Sequence, residues 1–307
     1  MKKLILVMCI ALVLGYACKK NDGTNFEPIK PPKDTTIIID TPKVDTPIVV
    51  EPPYFNRKYN KVCFLMTHNA MNNSEKKYLI PNQTHSISKQ LANGVRGLMI
   101  DTYDGPGGNA LTYHGVELMG KQPLVDVLKE VYLFLANNEK EVLTIIFENN
   151  GSNEQLIAAI ETAGLTSFAY VHGTEWKTIK EMVNSNQRLV MFVESDKTPK
   201  VDYLKHAWSY IYDTKYTFKK VSEFDCAINR GTYSENNLFL VNHWLSNGLG
   251  LPEKKLANTA NNPSVIHSRL QNCENTRNHF INFLGVDFYE VGNTKAIVDS
   301  INSHFVE

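Results

Sequence analysis

Two periods of apolar residues alternate along this chain. Val142 to Phe147 reads VLTIIF, a continuous apolar run of the length and branching expected of a strand covered on both faces. Lys61 to Met66, Val95 to Asp101, Arg188 to Val193, Leu238 to Val241 and Phe283 to Asp287 are runs of the same kind. Between them the spacing becomes helical. In Pro123 to Asn137 the residues Leu124, Val127, Leu128, Val131 and Leu135 fall on one face, and Pro123 suits a first turn, where its missing N–H is not needed. Helices are also expected over Ser86 to Asn93, closed by Gly94 as a left-handed C-terminal residue, and over Asn153 to Ala163, Thr174 to Asn184 and Thr294 to Phe305.

Strands that alternate with helices imply a parallel sheet. The repeated units fit a TIM-type (β/α)8 barrel, regular or distorted, as a single catalytic domain of the usual size of about 250 residues. In such barrels, functional side chains stand where strands end. Here His68 and Asn69 follow the first strand, Asp101 ends the second, His114 follows a short strand ending in Tyr113, and Glu148 follows VLTIIF. A lone histidine at a strand end more often serves structure. Five such residues on successive strands point to one mouth.

The N-terminal region has a different texture. Met1-Lys2-Lys3 precedes an apolar run, Leu4 to Leu14, too short to span a bilayer, and Gly15-Tyr16-Ala17 leads to Cys18. This reads as an export signal, and it resembles a bacterial lipoprotein cleavage box in which Cys18 becomes the lipidated first residue. Residues 18–53, rich in Pro, Thr, Asp and Lys, lack a sustained period and read as a semi-rigid tether. The expected organisation is therefore signal 1–17, tether 18–53 and barrel 54–307. The long segment Leu245 to Ser264 reads as a lid or substrate-selecting loop.

Charge and cysteine content narrow the function. Lys plus Arg and Asp plus Glu number 32 each, so bulk charge gives no reason to expect a nucleic-acid partner. Membrane attachment would come from the lipid. No obligatory protein partner is evident. Cys63 lies inside a strand and reads as a small buried hydrophobe, whereas Cys226 and Cys273 can pair in an oxidising compartment.

Two histidines can divide proton transfer between a base and an acid near neutral pH. Asn, Asp and Glu offer oxygen donors suited to Ca²⁺ or Mg²⁺ rather than zinc, and the chain has no CxxC or HExxH pattern. A hard cation with two histidines suits phosphoryl transfer.

THNAM at Thr67 to Met71, IPNQTHSISKQLANGVRGLMIDTYDG at Ile80 to Gly105, YHG at Tyr113 to Gly115, EVLTIIFEN at Glu141 to Asn149 and GVDFYEVG at Gly285 to Gly292 resemble the phosphatidylinositol-specific phospholipase C X-domain family of PLC-like phosphodiesterases. The likeness is dense from about residue 61 to 149 and weaker beyond. It implies a barrel in which His68 stabilises the transition state or takes the nucleophile's proton, and His114 protonates the diacylglycerol-side oxygen. Asn69, Asp101 and Glu148 match the Ca²⁺ ligands of the metal-dependent branch. The inositol 2-hydroxyl would attack phosphorus, and water would then open the cyclic phosphate. Two positions depart from the family. An acid expected two positions before Asp101 is Met99, and the arginine that a metal-independent branch places two positions after that aspartate is Tyr103. Ca²⁺ is the expected cofactor, with Mg²⁺ and metal independence as alternatives.

Asp287, ending the last strand, is expected to orient His68 as a carboxylate orients an imidazole. His243, Trp244 and Tyr289 are candidates for headgroup contact, and Arg96 reads as a structural ion-pair partner. The expected substrate is an inositol phospholipid headgroup at a membrane surface, met by an exported protein lipid-anchored to a bacterial membrane on its periplasmic or outer face. A non-catalytic binder of a headgroup or glycan is the first alternative. A phosphodiesterase for another lipid is the second, although His68-Asn69 differs from the His-Arg start of glycerophosphodiesterases.

Overall fold

A nine-stranded sheet curls around an apolar interior in the computed structural model of the chain. The structure describes residues 51–195 and 199–304. The signal, Cys18 and nearly all of the tether lie outside them. In chain order the elements are β1 (Phe64–Thr67), α1 (Ile87–Ala92), β2 (Gly97–Thr102), β3 (Leu111–Thr112), β4 (Gln122–Pro123), α2 (Leu124–Asn137), β5 (Leu143–Asn149), α3 (Asn153–Thr162), α4 (Ile179–Asn184) and β6 (Leu189–Val193). They continue with β7 (Leu204–His206), β8 (Ile211–Thr214), β9 (Ile228–Arg230), β10 (Leu238–Asn242), α5 (Lys254–Ala260), α6 (Pro263–Arg277), β11 (Phe283–Val286) and α7 (Thr294–His304).

The sheet order is β7-β6-β5-β2-β1-β11-β10-β8-β9. All neighbours are parallel except β8 and β9. No strand pairing joins β7 to β8 among the described residues. The expected barrel is therefore present in a distorted form, open along one seam.

Period-two alternation sorts side chains into two cores. Phe64 and Met66 of β1, Ile146 of β5, Val190 and Phe192 of β6, Leu238 and Leu240 of β10 and Phe283 of β11 fill the interior. Their alternates, among them Leu65, Ile145, Phe147, Met191, Val241 and Leu284, face the helices. The apolar face of α2 meets that outer layer, with Leu124, Leu128, Val131 and Leu135 fully buried. Each such side chain contributes roughly 1.5–3 kcal/mol. Gly97 faces inward because a Cβ there would lie 2.6 Å from the Met66 side chain.

Three local expectations are corrected. His114 does not follow a strand of the barrel: Leu111–Thr112 pairs antiparallel with Gln122–Pro123 as a separate hairpin between β2 and α2. The helix expected from Thr174 starts at Ile179, where Thr178 and Glu181 form a reciprocal capping box. The segment Leu245 to Ser264 is only partly loop, because it contains all of α5 and the first two residues of α6.

Candidate active site

Inward parity continues past the apolar interior and ends in polar side chains. His68 extends the series Phe64, Met66; Asp101 extends Gly97, Met99; Glu148 extends Ile146; Glu194 extends Val190, Phe192; Asn242 extends Leu238, Leu240; and Asp287 extends Phe283, Gly285. Most of these residues reach a cavity of about 370 Å³ at the C-terminal ends of the strands. Its lining includes His68, Asn69, Met99, Asp101, His114, Glu148, Glu194, Tyr216, Arg230 and Trp244. Register pairs Asp101 with Glu148 on adjacent strands. The first layer of the site is thus a direct product of sheet register.

Each histidine is held by its own aspartate. His68 Nδ1 lies 2.9 Å from Asp287 Oδ1, and His114 Nδ1 lies 2.8 Å from Asp101 Oδ2. Both aspartates are about 3% exposed, so the pairs are fixed from the buried side. Each arrangement leaves Nε2 as the ring nitrogen available to a substrate. The two rings are 6.5 Å apart, centre to centre, and nearly perpendicular. Burial disfavours protonation of His114, but its hydrogen bond to Asp101 and the nearby carboxylates of Glu148 and Asp287 raise its pKa above the ordinary histidine value.

Amide side chains lock the loop that carries His68. Asn69 sits at φ 46°, a left-handed conformation that asparagine tolerates. Asn82 donates to Asp287 at 3.0 Å and accepts from Asn72 at 2.7 Å. Gln83 donates to the carbonyls of His68 and Val286, tying β1's exit to β11. Trp244 stacks on His68 with ring centres 3.9 Å apart. A stacked indole suits an imidazole in its cationic form.

The opposite wall was not anticipated. Arg230 reaches across the seam to Glu194 at 2.7 Å and to fully buried Asp213 at 2.6 and 3.0 Å. Asn242 also donates to Asp213, at 2.9 Å. Trp208 and Tyr216 cover the guanidinium at 3.9 and 4.8 Å. Burial, with help from Glu148, Asp213 and Asp101, pushes the Glu194 carboxyl up to about 8 against the pull of Arg230. The inward-parity rule would have found Glu194 and Asn242 from sequence; Arg230 lies on an irregular strand with no such signal.

Two of the expected headgroup residues are placed elsewhere. His243 is fully buried, with Nε2 2.8 Å from the Ala260 carbonyl, because its parity points out of the barrel towards α5. Tyr289 is 4% exposed and its hydroxyl bonds His85 and Asn93 behind the site. Trp244 does line the cavity. Arg96 pairs with Glu141 at 2.7 Å, away from the mouth.

The three residues expected to hold a cation, Asn69, Asp101 and Glu148, all line the cavity. Asp101 is committed to His114, Glu194 to Arg230, and the inward position two before Asp101 presents the Met99 thioether. Among the described residues no three His, Cys, Asp or Glu side chains converge as a metal would require. Burial and the neighbouring Asp101 carboxylate raise the pKa of Glu148. Asn69, Asp101 and Glu148 nevertheless present oxygen donors to the same cavity, and no step is assigned to a cation.

The PI-PLC X family model (PI-PLC X 1) matches residues 54–302. The chain is 28% identical over 270 residues to the PI-PLC X domain-containing protein At5g67130 of Arabidopsis thaliana, covering 80% of this chain and 62% of that protein. It is 24% identical to PI-PLC X domain-containing protein 1 of Arthroderma benhamiae, covering 82% and 88%. A structure of phosphatidylinositol-specific phospholipase C from Staphylococcus aureus superposes with a TM-score of 0.60 at 14% identity, covering 82% of this chain and 95% of that one. The barrel fold, the paired histidines at its mouth and the match over 54–302 together identify the chain as a member of the PI-PLC X family.

Proposed function

We propose that the chain is a phosphodiesterase of the phosphatidylinositol-specific phospholipase C type, cleaving the glycerol-side P–O bond of an inositol phospholipid or a glycosylated relative. One observation carries this reading: two imidazoles face one cavity, 6.5 Å apart, each oriented by a buried aspartate. A phosphodiester between them has a base on one side and an acid on the other.

His68 Nε2 takes the proton of the inositol 2-hydroxyl, and that oxygen attacks phosphorus. Asp287 stabilises the imidazolium that results. His114, whose pKa the Asp101 hydrogen bond and nearby carboxylates raise, gives its Nε2 proton to the departing glycerol oxygen. One P–O bond forms and one breaks, giving a cyclic phosphate and diacylglycerol. His114, now neutral, takes a proton from the water that attacks phosphorus, the bond from phosphorus to the 2-oxygen breaks, and His68 returns its proton to that oxygen. The headgroup ring would extend towards Tyr216, Glu194 and Arg230, which offer a stacking face, an acceptor and a donor to a polyol. Outside the barrel, the Lys2-to-Cys18 pattern supports export and lipid anchoring at Cys18, with the segment to Pro53 as tether.

The test is product analysis by phosphorus NMR after incubating the full-length protein with phosphatidylinositol vesicles. Cyclic inositol phosphate with equimolar diacylglycerol is expected. Headgroup binding with no cleavage of any phosphodiester would instead establish the non-catalytic reading, and cleavage of other phospholipids alone would establish the third. Cys18→Ser should release the protein from membranes into the aqueous phase.

A further inference from the structure

Arg269, on α6, is a buried cation with no carboxylate in contact among the described residues. It is 5% exposed, and its guanidinium lies against the rings of Phe218 and Phe224, 4.9 and 4.0 Å from their centres. Nη2 donates to Thr214 Oγ1 and to the Asp225 carbonyl, both at 3.3 Å. Nε and Nη1 have no hydrogen-bond partner among the described residues. The carboxylates of the neighbouring segment are turned elsewhere: Asp225 Oδ2 meets Lys215 at 3.4 Å, its Oδ1 accepts from the Ala227 N–H, and Glu223 accepts from the Lys219 N–H. Burial pushes the Arg269 pKa down to about 9, so the side chain still carries its charge at neutral pH. A buried charge with two idle donors is unfavourable, and an anion would offset that cost.

Arg269 lines a recess of about 400 Å³, together with Ser264, Ser268, Asn272 and the apolar Val221 and Phe224. No acid lines it. Ser264, Ser268 and Asn272 are spaced four apart on the 15-residue α6, which places them on one face of the helix. The frame is tied down: the Ser264 hydroxyl donates to Asn262 Oδ1 at 2.8 Å, Asn272 Nδ2 lies 3.4 Å from Cys226 Sγ, and the disulfide Cys226–Cys273 pins α6 to the chain just past Asp225. A recess held this way needs little ordering when a ligand enters.

We propose that this recess binds a small oxyanion, a phosphate or a carboxylate, against Arg269 and the polar side chains of α6. A guanidinium, two hydroxyls and an amide are the groups that recognise such oxygens, and the two aromatic faces keep water from the charge. Nε and Nη1 are covered, so the anion draws the guanidinium towards the recess as it binds. The site is separate from the catalytic mouth, yet the two share a partition. Tyr216, Phe218 and Lys219 line the mouth, Val221 and Phe224 line the recess, and Phe218 also packs on Arg269. An anion held by Arg269 therefore steadies the segment that carries Tyr216 to the mouth. Binding at this site is independent of whether the mouth cleaves a phosphodiester.

The probe is inorganic phosphate, followed by equilibrium dialysis of the full-length protein and by its unfolding midpoint. Saturable retention is expected, with a midpoint that rises as phosphate is added. Ser268→Glu, which brings a carboxylate to the recess, should weaken retention by about tenfold, and Arg269→Met should abolish it. Ser268 is exposed, so its substitution reads binding even where Arg269→Met disturbs folding. His114→Ala should retain phosphate as the parent does, which separates the recess from the two histidines. Displacement of phosphate by acetate would show that the site takes carboxylates too, and its failure would restrict the site to phosphate. No saturable retention by the parent, or retention lost in His114→Ala and kept in both recess variants, would overturn the proposal.

Discussion

The two walls of the mouth are held in place by different means. On the β1, β2 and β5 side, continuous parallel register sets the positions that the strands carry, and Asp101 faces Glu148 because the strands are aligned residue for residue from Gly97 to Thr102. On the β6 to β9 side the sheet is interrupted, and side chains take over. Arg230 bridges the seam to Glu194, the disulfide Cys226–Cys273 joins the segment after β8 to α6, and Arg269 is clasped between Phe218 and Phe224. The regular wall carries the proposed proton transfers, which tolerate little displacement. In the proposed reading the cross-linked wall meets the headgroup ring.

The contrast breaks down unless the two walls respond differently to substitution. The largest effect is expected on the regular wall: His68→Ala or His114→Ala should lower kcat by about 10²–10⁴-fold with little change in unfolding midpoint, read by paired kinetics and denaturation. On the other wall, Asp213→Ala leaves Arg230 without its buried partner. It should cost about 3–5 kcal/mol of stability, measured by denaturant unfolding, and should raise KM in the protein that remains folded. Cys273→Ser opens the disulfide and should cost roughly 2–4 kcal/mol while leaving the pH profile in place.

The smallest effect concerns pH. His114 has a raised pKa in the folded protein, so its protonated form persists above the ordinary histidine range. The basic limb of kcat/KM should lie correspondingly high, and Asp101→Asn should move it towards lower pH. The linked stability has the same sign: it is present below the unfolded-state pKa of His114 and is lost as pH rises through the folded value. A basic limb unmoved by Asp101→Asn would show that His114 is not the acid.

Much of the regular wall was legible in sequence. His68, Asp101, Glu148 and Asp287 end apolar runs, and strand parity is a local property that a run reveals. His114 reached the site by a different route, since its hairpin lies outside the barrel sheet and its placement depends on Thr112 and Tyr78 contacts. The strands β7, β8 and β9 are three or four residues long, too short to show a period, so Arg230 and Asp213 gave no signal. The likeness to the family is also weak there. His243 neighbours the inward Asn242, and a shift of one residue turns a side chain to the other face, whereas Tyr289 lies past the end of β11, in a turn where Phe288 takes φ 44° and strand parity no longer holds.

The central claim is that two aspartate-held histidines cleave the phosphodiester with no step assigned to a cation. Cleavage of phosphatidylinositol by the full-length protein in excess chelator tests it most directly. The account requires release of cyclic inositol phosphate at the rate seen without chelator, abolished by His114→Ala. Loss of release in chelator, restored by added Ca²⁺, would contradict it.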